Sequence, residues 1–202
     1  MTKMILASKN KHKLEEINDM LSDLGIELIS MDEAGLGALE IIEDGETFEE
    51  NSMKKAVTVM GKLNEIVIAD DSGLEVDYLD GRPGVYSSRF AGEDATDEDN
   101  NEKLLKELDG IALEQRTGRF VSVISLAFPD GRKLSVRGEC EGLIGVERKG
   151  AEGFGYDPLF IVPEYERTFA ELGSEIKNNI SHRAKALKKF REELENLLGD
   201  KS

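Results

Sequence analysis

The fold is decided by residues 66–73, which read Ile-Val-Ile-Ala-Asp-Asp-Ser-Gly. The apolar half is short, rich in β-branched residues and does not alternate with polar ones, which predicts a strand buried on both faces. We expect this strand to end where the two acids begin. Because ligands of open α/β sheets lie outside the carboxyl ends of the strands, Asp70 and Asp71 are candidates for binding a metal or activating water. An ordinary Asp-Ser-Gly turn after a strand is the alternative.

A second polar stretch follows the predicted first strand, residues 3–7, and leads into a helix indicated by the spacing of Leu14, Ile17 and Leu21. Its side chains suit an anionic ligand, and they are Ser8, Lys9, Asn10, Lys11, His12 and Lys13. Free backbone N–H groups and the positive end of the helix dipole meet at a helix N-terminus. Lysines at that position in an acidic protein therefore indicate a phosphate partner, with a solvated basic loop as the alternative.

The rest of the chain predicts a mixed sheet, because βα units stand beside a long hairpin. Further strands are expected at 26–30, 74–79 (an edge strand), 118–128, 133–140 and 159–162. Further helices are expected from the Thr47–Glu50 capping box to about residue 63, from Thr96 to 108, and onward from the N-cap Ser181.

Charge and composition limit the classes of partner. The 202 residues include 26 basic and 42 acidic ones, a net charge of −16 that disfavours binding to nucleic acid polymers or anionic membranes. No apolar run approaches the roughly 18 residues of a membrane helix. Cys140 is the only cysteine, which suits the reducing cytoplasm and leaves no disulfide framework. The length predicts one domain, or one domain with two lobes.

Two later stretches carry residues suited to a nucleotide. Between residues 150 and 158, glycines alternate with Phe154 and Tyr156, so the main chain could approach a flat ligand while an aromatic ring stacks on a base. His182 and Arg183 fall in the first turn of the last helix, an unfavourable place for cations unless an anion binds there. A glycine-rich turn and a structural histidine are the alternatives.

Taken together, these stretches resemble the inosine/xanthosine triphosphate pyrophosphatases, which remove non-standard purine nucleotides. Residues 8–13 match the family's T/S-x-N-x-x-K loop, and residues 47–56 match its T-F-x-E-N-A-x-x-K-A segment. Segments 69–74, 83–89, 153–158 and 181–183 also match, in the same order. Six motifs in register over nearly the whole chain make the resemblance specific.

The resemblance implies an α/β fold, an elongated mixed β-sheet with flanking helices in one two-lobed domain spanning 1–202, with a nucleotide cleft between the lobes. It implies a homodimer that hydrolyses ITP, dITP and XTP to the monophosphate and pyrophosphate with Mg²⁺. Asp71 matches the family's proton acceptor and metal contact. Substrate contacts are implied for residues 8–13 and for Ser72, Phe154, Gly155, Tyr156, Asp157, Lys177, His182 and Arg183.

One departure from the family pattern concerns the second metal ligand. Many members carry two adjacent glutamates three and two places before the glycine that matches Gly45, whereas this chain has Ile42 and Glu43, followed by Asp44. Glu43 is the best remaining candidate, with Asp44 in reserve. Two other functions stay open: a pyrophosphatase for modified pyrimidine nucleotides, and a nucleotide-binding protein without catalysis.

Overall fold

A computed structural model describes residues 2–199, apart from the side chains of Lys11, His12, Glu16, Met20 and Leu198. The α-helices are α1 (Lys11–Leu21), α2 (Phe48–Leu63), α3 (Asp97–Glu107), α4 (Phe169–Ile180) and α5 (His182–Gly199). The strands are β1 (Thr2–Leu6), β2 (Ile26–Ser30), β3 (Val67–Val76), β4 (Thr117–Ala127), β5 (Lys133–Ile144), β6 (Phe160–Val162) and β7 (Arg167–Thr168).

The strands form a mixed sheet, as predicted. Within the described residues the sheet has seven strands in the order β2-β1-β3-β4-β5-β6-β7. Strand β1 runs parallel to both β2 and β3, whereas β6 runs antiparallel to β5 and β7. The predicted hairpin is also present, since β4 and β5 are neighbours joined by a turn in which Phe128 N–H donates to the Arg132 carbonyl.

Strand β3 is longer than the sequence suggested. It runs without a break through Asp70 and Asp71 to Val76, so the expectation that it ends at the acids was wrong. The predicted edge strand at 74–79 was also wrong: its first half is the end of β3, which lies between β1 and β4, and residues 77–79 form a 3₁₀ turn. A strand can continue through two buried acids here because each of them meets a lysine.

Two compact units make up the chain, one from residues 1–71, 123–137 and 186–202, and the other from 72–122 and 138–185. In the first unit, alternate residues of β1 belong to different apolar clusters, as a strand with two buried faces requires. Met4 and Leu6 pack with residues of α1 and α5, while Ile5 and Ala7, the residue after the strand, pack with residues of α2. The first unit is thus a sheet with helices on both faces.

The second unit has one apolar cluster. It gathers side chains from β3, β4, β6 and the helices α3 and α4, including Leu74, Phe120, Phe160 and Leu104. Helix α4 was not predicted, because Gly173 has a left-handed φ of 77° and interrupts the helical spacing of apolar residues. Lys177, a predicted substrate contact, lies in this helix.

The predicted start of the last helix is confirmed, since the Ser181 hydroxyl accepts a hydrogen bond from the Ala184 N–H at 3.2 Å. None of the described helices is long and apolar enough to cross a membrane. The single two-lobed domain and its nucleotide cleft stay predictions.

Candidate functional site

The two adjacent acids of β3 have different partners. Consecutive residues of a strand point to opposite faces, and both carboxylates are buried, with Asp70 1% and Asp71 8% exposed. Asp70 forms an ion pair with Lys13 in the first turn of α1. The Asn10 side chain caps that turn by accepting from the Lys13 N–H at 3.3 Å, which fixes the backbone from which Lys13 extends.

Asp71 belongs to a group of three charged side chains with Lys55 and Glu43, which we call the acid–lysine triad. Lys55 Nζ donates to Asp71 Oδ1 at 2.8 Å and to Glu43 Oε2 at 3.0 Å. The Glu43 carboxyl is close enough to Asp71 to raise its pKa. One buried ammonium group therefore faces two carboxylates, and the triad carries a net negative charge when all three groups are ionised.

Burial dominates the protonation of the triad. The pKa of Asp71 is raised from 3.8 to about 6: burial is the largest cause and the nearby Glu43 carboxyl adds to it, while Lys55 acts in the opposite direction. Burial also acts to raise the pKa of Glu43, but Lys55 outweighs it and the net shift is downward. For Lys55, the attraction of Asp71 and Glu43 overcomes desolvation and raises the pKa. Lys55 is therefore charged at neutral pH, and Asp71 is the group that can exchange a proton there.

Local sequence places the triad. The capping box of Thr47 and Glu50 fixes the start of α2. The Asn51 side chain accepts from the Gly45 N–H at 2.8 Å and so ties the loop that carries Glu43 to the helix. A Cβ at Gly45 would lie 2.7 Å from Asn51 Oδ1, so this approach requires glycine. Ser52 Oγ donates to the Ala69 carbonyl at 3.0 Å, which holds α2 against β3 beside the acids.

Asp44, the reserve candidate for the metal, lies with a different lysine. It forms an ion pair with Lys54, and the two side chains are 66% and 40% exposed. The structure therefore brings Glu43, and not Asp44, together with Asp71.

Lys55 is the charged residue that sequence reasoning missed. The family-like segment 47–56 included it, but no role was assigned to it. A signal was available: Lys55 lies seven residues after Phe48 and four before Val59, on the buried face of α2. A lysine at such a position needs a buried acidic partner.

The other N-terminal candidates surround the start of α1. Ser8 Oγ accepts from the Asn10 N–H at 3.1 Å, and Lys9 is exposed. The side chains of Lys11 and His12 lie outside the described part of the structure. The structure thus places these residues at the start of α1, and the predicted contact with an anionic substrate stays a prediction.

In the second unit, the predicted residues gather around the loop 153–157, which we call the base loop. Phe154 is 45% exposed, although it is a large apolar side chain. Asp157 Oδ2 accepts from the Phe154 N–H at 3.0 Å and forms an ion pair with Lys177, whose Nζ lies 4.5 Å from the centre of the Phe154 ring. Burial raises the pKa of Asp157 despite this ion pair.

Tyr156, Ser72, His182 and Arg183 occupy more interior positions of the same unit. The Tyr156 hydroxyl donates to the Ser87 carbonyl at 2.8 Å, so this ring anchors the base loop and Phe154 is its exposed aromatic. His182 stacks on Phe120 with ring centres 4.9 Å apart. Arg183 Nη2 lies 3.5 Å from Ser72 Oγ, and its charge acts on Asp157.

A model of the Ham1 family matches residues 4–193. The chain belongs to the Ham1 family. Its similarity to curated members extends over nearly its whole length. It is 50% identical over 204 residues to a dITP/XTP pyrophosphatase of Clostridium perfringens (strain 13 / Type A), covering 98% of this chain and 100% of that protein. A dITP/XTP pyrophosphatase of Desulforamulus reducens is 52% identical over 195 residues, with 96% of each chain covered.

Solved structures of Ham1 proteins share the fold. The Ham1 protein of Staphylococcus aureus superposes with a TM-score of 0.90 at 40% identity, over 96% of this chain and 99% of that one. A HAM1 protein of Coxiella burnetii gives a TM-score of 0.91 at 40% identity, over 97% and 100% of the two chains. The predicted family and the mixed sheet with flanking helices are thereby confirmed.

The raised pKa of Asp71 predicts a pH dependence of stability. Since the folded protein holds this proton more tightly than the unfolded chain, the stabilisation is fully present below about pH 4 and is lost as pH rises through about 6. We expect the free energy of unfolding of the wild type, relative to Asp71→Asn, to fall by about 2–3 kcal/mol from pH 4 to pH 8. Urea unfolding in chelator measures this difference, and a constant difference across that range would contradict it.

Proposed function

We propose that this protein hydrolyses non-standard purine nucleoside triphosphates (ITP, dITP and XTP) to the monophosphate and pyrophosphate. The acid–lysine triad carries the proposal: Asp71 is buried, has a pKa of about 6 and forms an ion pair with Lys55, which also pairs with Glu43. The names of the curated relatives support the same reaction and substrates.

Asp71 is the proposed general base. A base works best when its pKa lies near the working pH, because it is then ionised yet still basic. The value of about 6 makes Asp71 a stronger base than an exposed aspartate and leaves it mostly ionised at neutral pH. It would accept a proton from the water that attacks the phosphoanhydride. Lys55 would orient the carboxylate through the bond from Nζ to Oδ1.

Basic groups of the first unit would bind the triphosphate. Hydrolysis of a phosphoanhydride requires neutralised charge and in-line positioning, which lysines and backbone N–H groups supply. Lys9 and Lys13 stand at the start of α1, where the helix dipole adds to the attraction for phosphate. Lys13 also keeps Asp70 paired, so Asp70 is assigned a structural role and Asp71 the chemical one.

Residues of the second unit would bind the base. Phe154 offers an exposed ring on which a purine can stack. Arg183, His182 and backbone N–H groups would donate to the 6-oxo group of the base. A 6-amino group would leave these donors unpaired, which disfavours ATP. Comparable kcat/KM values for ITP and ATP would contradict this assignment.

Glu43 and Asp71 fit the proposed Mg²⁺. Mg²⁺ binds oxygen ligands and is commonly held by one or two carboxylates together with substrate phosphates. Among the described residues there is no group of three or more His, Cys, Asp or Glu side chains arranged to hold a metal, so a site completed by substrate is the arrangement that fits. When bound, Mg²⁺ would neutralise phosphate charge.

Two matched substitutions distinguish the candidates for the second metal ligand. We expect Glu43→Gln to weaken Mn²⁺ binding in the presence of nucleotide by about tenfold or more, because it removes one of two carboxylate ligands. Asp44→Asn removes the same charge one residue later and should change the affinity less than twofold, since Asp44 pairs with Lys54 away from the triad. The Mn²⁺ affinity of each variant is obtained from the electron paramagnetic resonance signal of free Mn²⁺. Equal effects would contradict the assignment to Glu43.

A substrate panel tests the function. Release of pyrophosphate is measured from ITP, XTP, dITP, ATP, GTP and TTP, with Mg²⁺ and with chelator. Metal-dependent release from ITP, dITP and XTP, with little from ATP or GTP, is the expected result. Release chiefly from TTP or a modified pyrimidine nucleotide would overturn the purine assignment. Binding without release would favour the non-catalytic alternative.

Assembly and location are further proposals. We propose a cytoplasmic homodimer without nucleic acid or membrane partners, which the family resemblance, the net charge of −16 and the single cysteine support. Light scattering coupled to gel filtration tests the dimer.

A further inference from the structure

The main chain of Gly155 in the base loop is held by helix α3. Gly155 N–H donates to Asp97 Oδ2 at 2.7 Å, and its carbonyl accepts from Asn101 Nδ2 at 2.8 Å. Asp97 and Asn101 are four residues apart, so they lie on one face of the helix. Both hydrogen-bonding groups of this one residue are therefore fixed by α3.

These contacts hold a segment that would otherwise be loose. Gly153 and Gly155 flank Phe154, and both have left-handed φ values, 83° and 60°. Glycine has the largest conformational freedom to lose on ordering, so a ring between two glycines needs external contacts to hold its direction. Tyr156 anchors the far end of the loop and Asp157 accepts from the Phe154 N–H, whereas Asp97 and Asn101 fix the residue directly after Phe154.

Asn101 is itself rigidly placed. It is 3% exposed, and its Nδ2 donates also to the Asp97 carbonyl at 2.7 Å, within α3. Among the described residues no donor reaches its buried Oδ1. An unsatisfied buried oxygen has an energetic cost. The two hydrogen bonds that Nδ2 donates therefore hold the Asn101 amide in place although its Oδ1 accepts none from the described residues.

The neighbouring Asn100 forms hydrogen bonds to a different segment. Its Oδ1 accepts from the Ala91 N–H at 2.8 Å, and its Nδ2 donates to the Ser88 carbonyl at 3.1 Å. Asn100 thus holds the segment 88–91, while Asp97 and Asn101 hold the base loop. Substitutions of Asn100 and of Asn101 should therefore affect different segments of the chain.

We propose that Asp97 and Asn101 are positioning residues that set the direction of the Phe154 ring for stacking on the base. The inference rests on the proposed function, since it assigns Phe154 to the purine. Stacking of a base on an aromatic ring contributes to the affinity for the nucleotide and depends little on which base is bound. Loss of either positioning residue should therefore raise KM for ITP and XTP alike and leave kcat nearly unchanged.

Asp97→Ala is the main test, because Asp97 is exposed and its removal leaves the core intact. We expect KM for ITP and XTP to rise about tenfold, kcat to change less than about twofold, and hydrogen exchange at Gly155 to accelerate about tenfold. Asn101→Ala should act in the same direction. Asp97→Asn retains an oxygen that can accept from Gly155 and should restore a KM within about twofold of the wild type. Glu98→Ala removes an acid from the next position of α3 and should leave KM unchanged.

Affinity for ITP in chelator, measured by calorimetry, separates this inference from the proposed function. Weaker binding to Asp97→Ala than to the wild type supports the inference even if turnover is absent. Unchanged affinity and KM in both alanine variants overturn the inference alone, as does a loss confined to kcat. Failure of the wild type both to bind ITP in chelator and to hydrolyse it with Mg²⁺ overturns the inference and the proposed function together.

Discussion

Replacing Asp71 with asparagine is expected to reduce kcat for ITP by about 10³-fold while the protein still binds the nucleotide. The amide has nearly the shape of the carboxyl group but cannot accept a proton, and general-base catalysis contributes typically about 10²–10⁴-fold. Asp71 is buried against Lys55, so a water molecule cannot easily take over its position. Single-turnover hydrolysis with saturating ITP measures the effect.

The same variant separates the catalytic and binding hypotheses. Calorimetry in chelator should give an affinity for ITP within about tenfold of the wild type, since stacking on Phe154 and contacts to the lysines remain. Asp44→Asn, which removes an exposed acid of the same unit, is the control and should keep its kcat. A kcat for Asp71→Asn within a factor of ten of the wild type would exclude Asp71 as the base.

Lys55→Met should both destabilise the protein and stop turnover. Lys55 is 8% exposed and is the cation between Glu43 and Asp71, so its removal leaves two carboxylates facing each other. Removing one partner of a buried ion pair costs about 3–5 kcal/mol. We expect a loss of about 3 kcal/mol in the free energy of unfolding at pH 8, and a smaller loss at pH 5, where one carboxyl of the pair can take up a proton.

Lys54→Met provides the matched control for this substitution. Lys54 is the preceding residue of the same helix, but its ion pair with Asp44 is exposed to solvent. Exposed pairs contribute about 0–1 kcal/mol, so this variant should unfold close to the wild type and keep its activity. Urea unfolding of the two variants at pH 5 and pH 8 gives the comparison. If Lys55→Met were as stable and as active as Lys54→Met, Lys55 would have no role in stability or turnover.

Elements with a strong local signal were predictable from the sequence. The capping box of Thr47 and Glu50, the N-cap Ser181 and the hairpin turn after Phe128 are all specified by neighbouring residues, and the structure contains each of them. The apolar residues 66–69 also predicted a strand buried on both faces. In each case the interaction that fixes the element lies within a few residues of it.

Features that depend on distant partners were not predictable in the same way. The continuation of β3 through Asp70 and Asp71 requires lysines from two helices, and no local pattern shows those contacts. Helix α4 was missed because Gly173 divides its apolar spacing. The role of Lys55 depends on Asp71, which follows 16 residues later, although its place on the apolar face of α2 was a usable sign.

The products formed from ITP give the most direct test of the proposed reaction. ITP is incubated with the protein and Mg²⁺, and nucleotides and phosphates are separated by ion-exchange chromatography. We expect IMP and pyrophosphate in equal amounts from the first turnover, with neither formed in chelator or by Asp71→Asn. Formation of IDP and orthophosphate would place the attack at the terminal phosphate and contradict the proposed reaction.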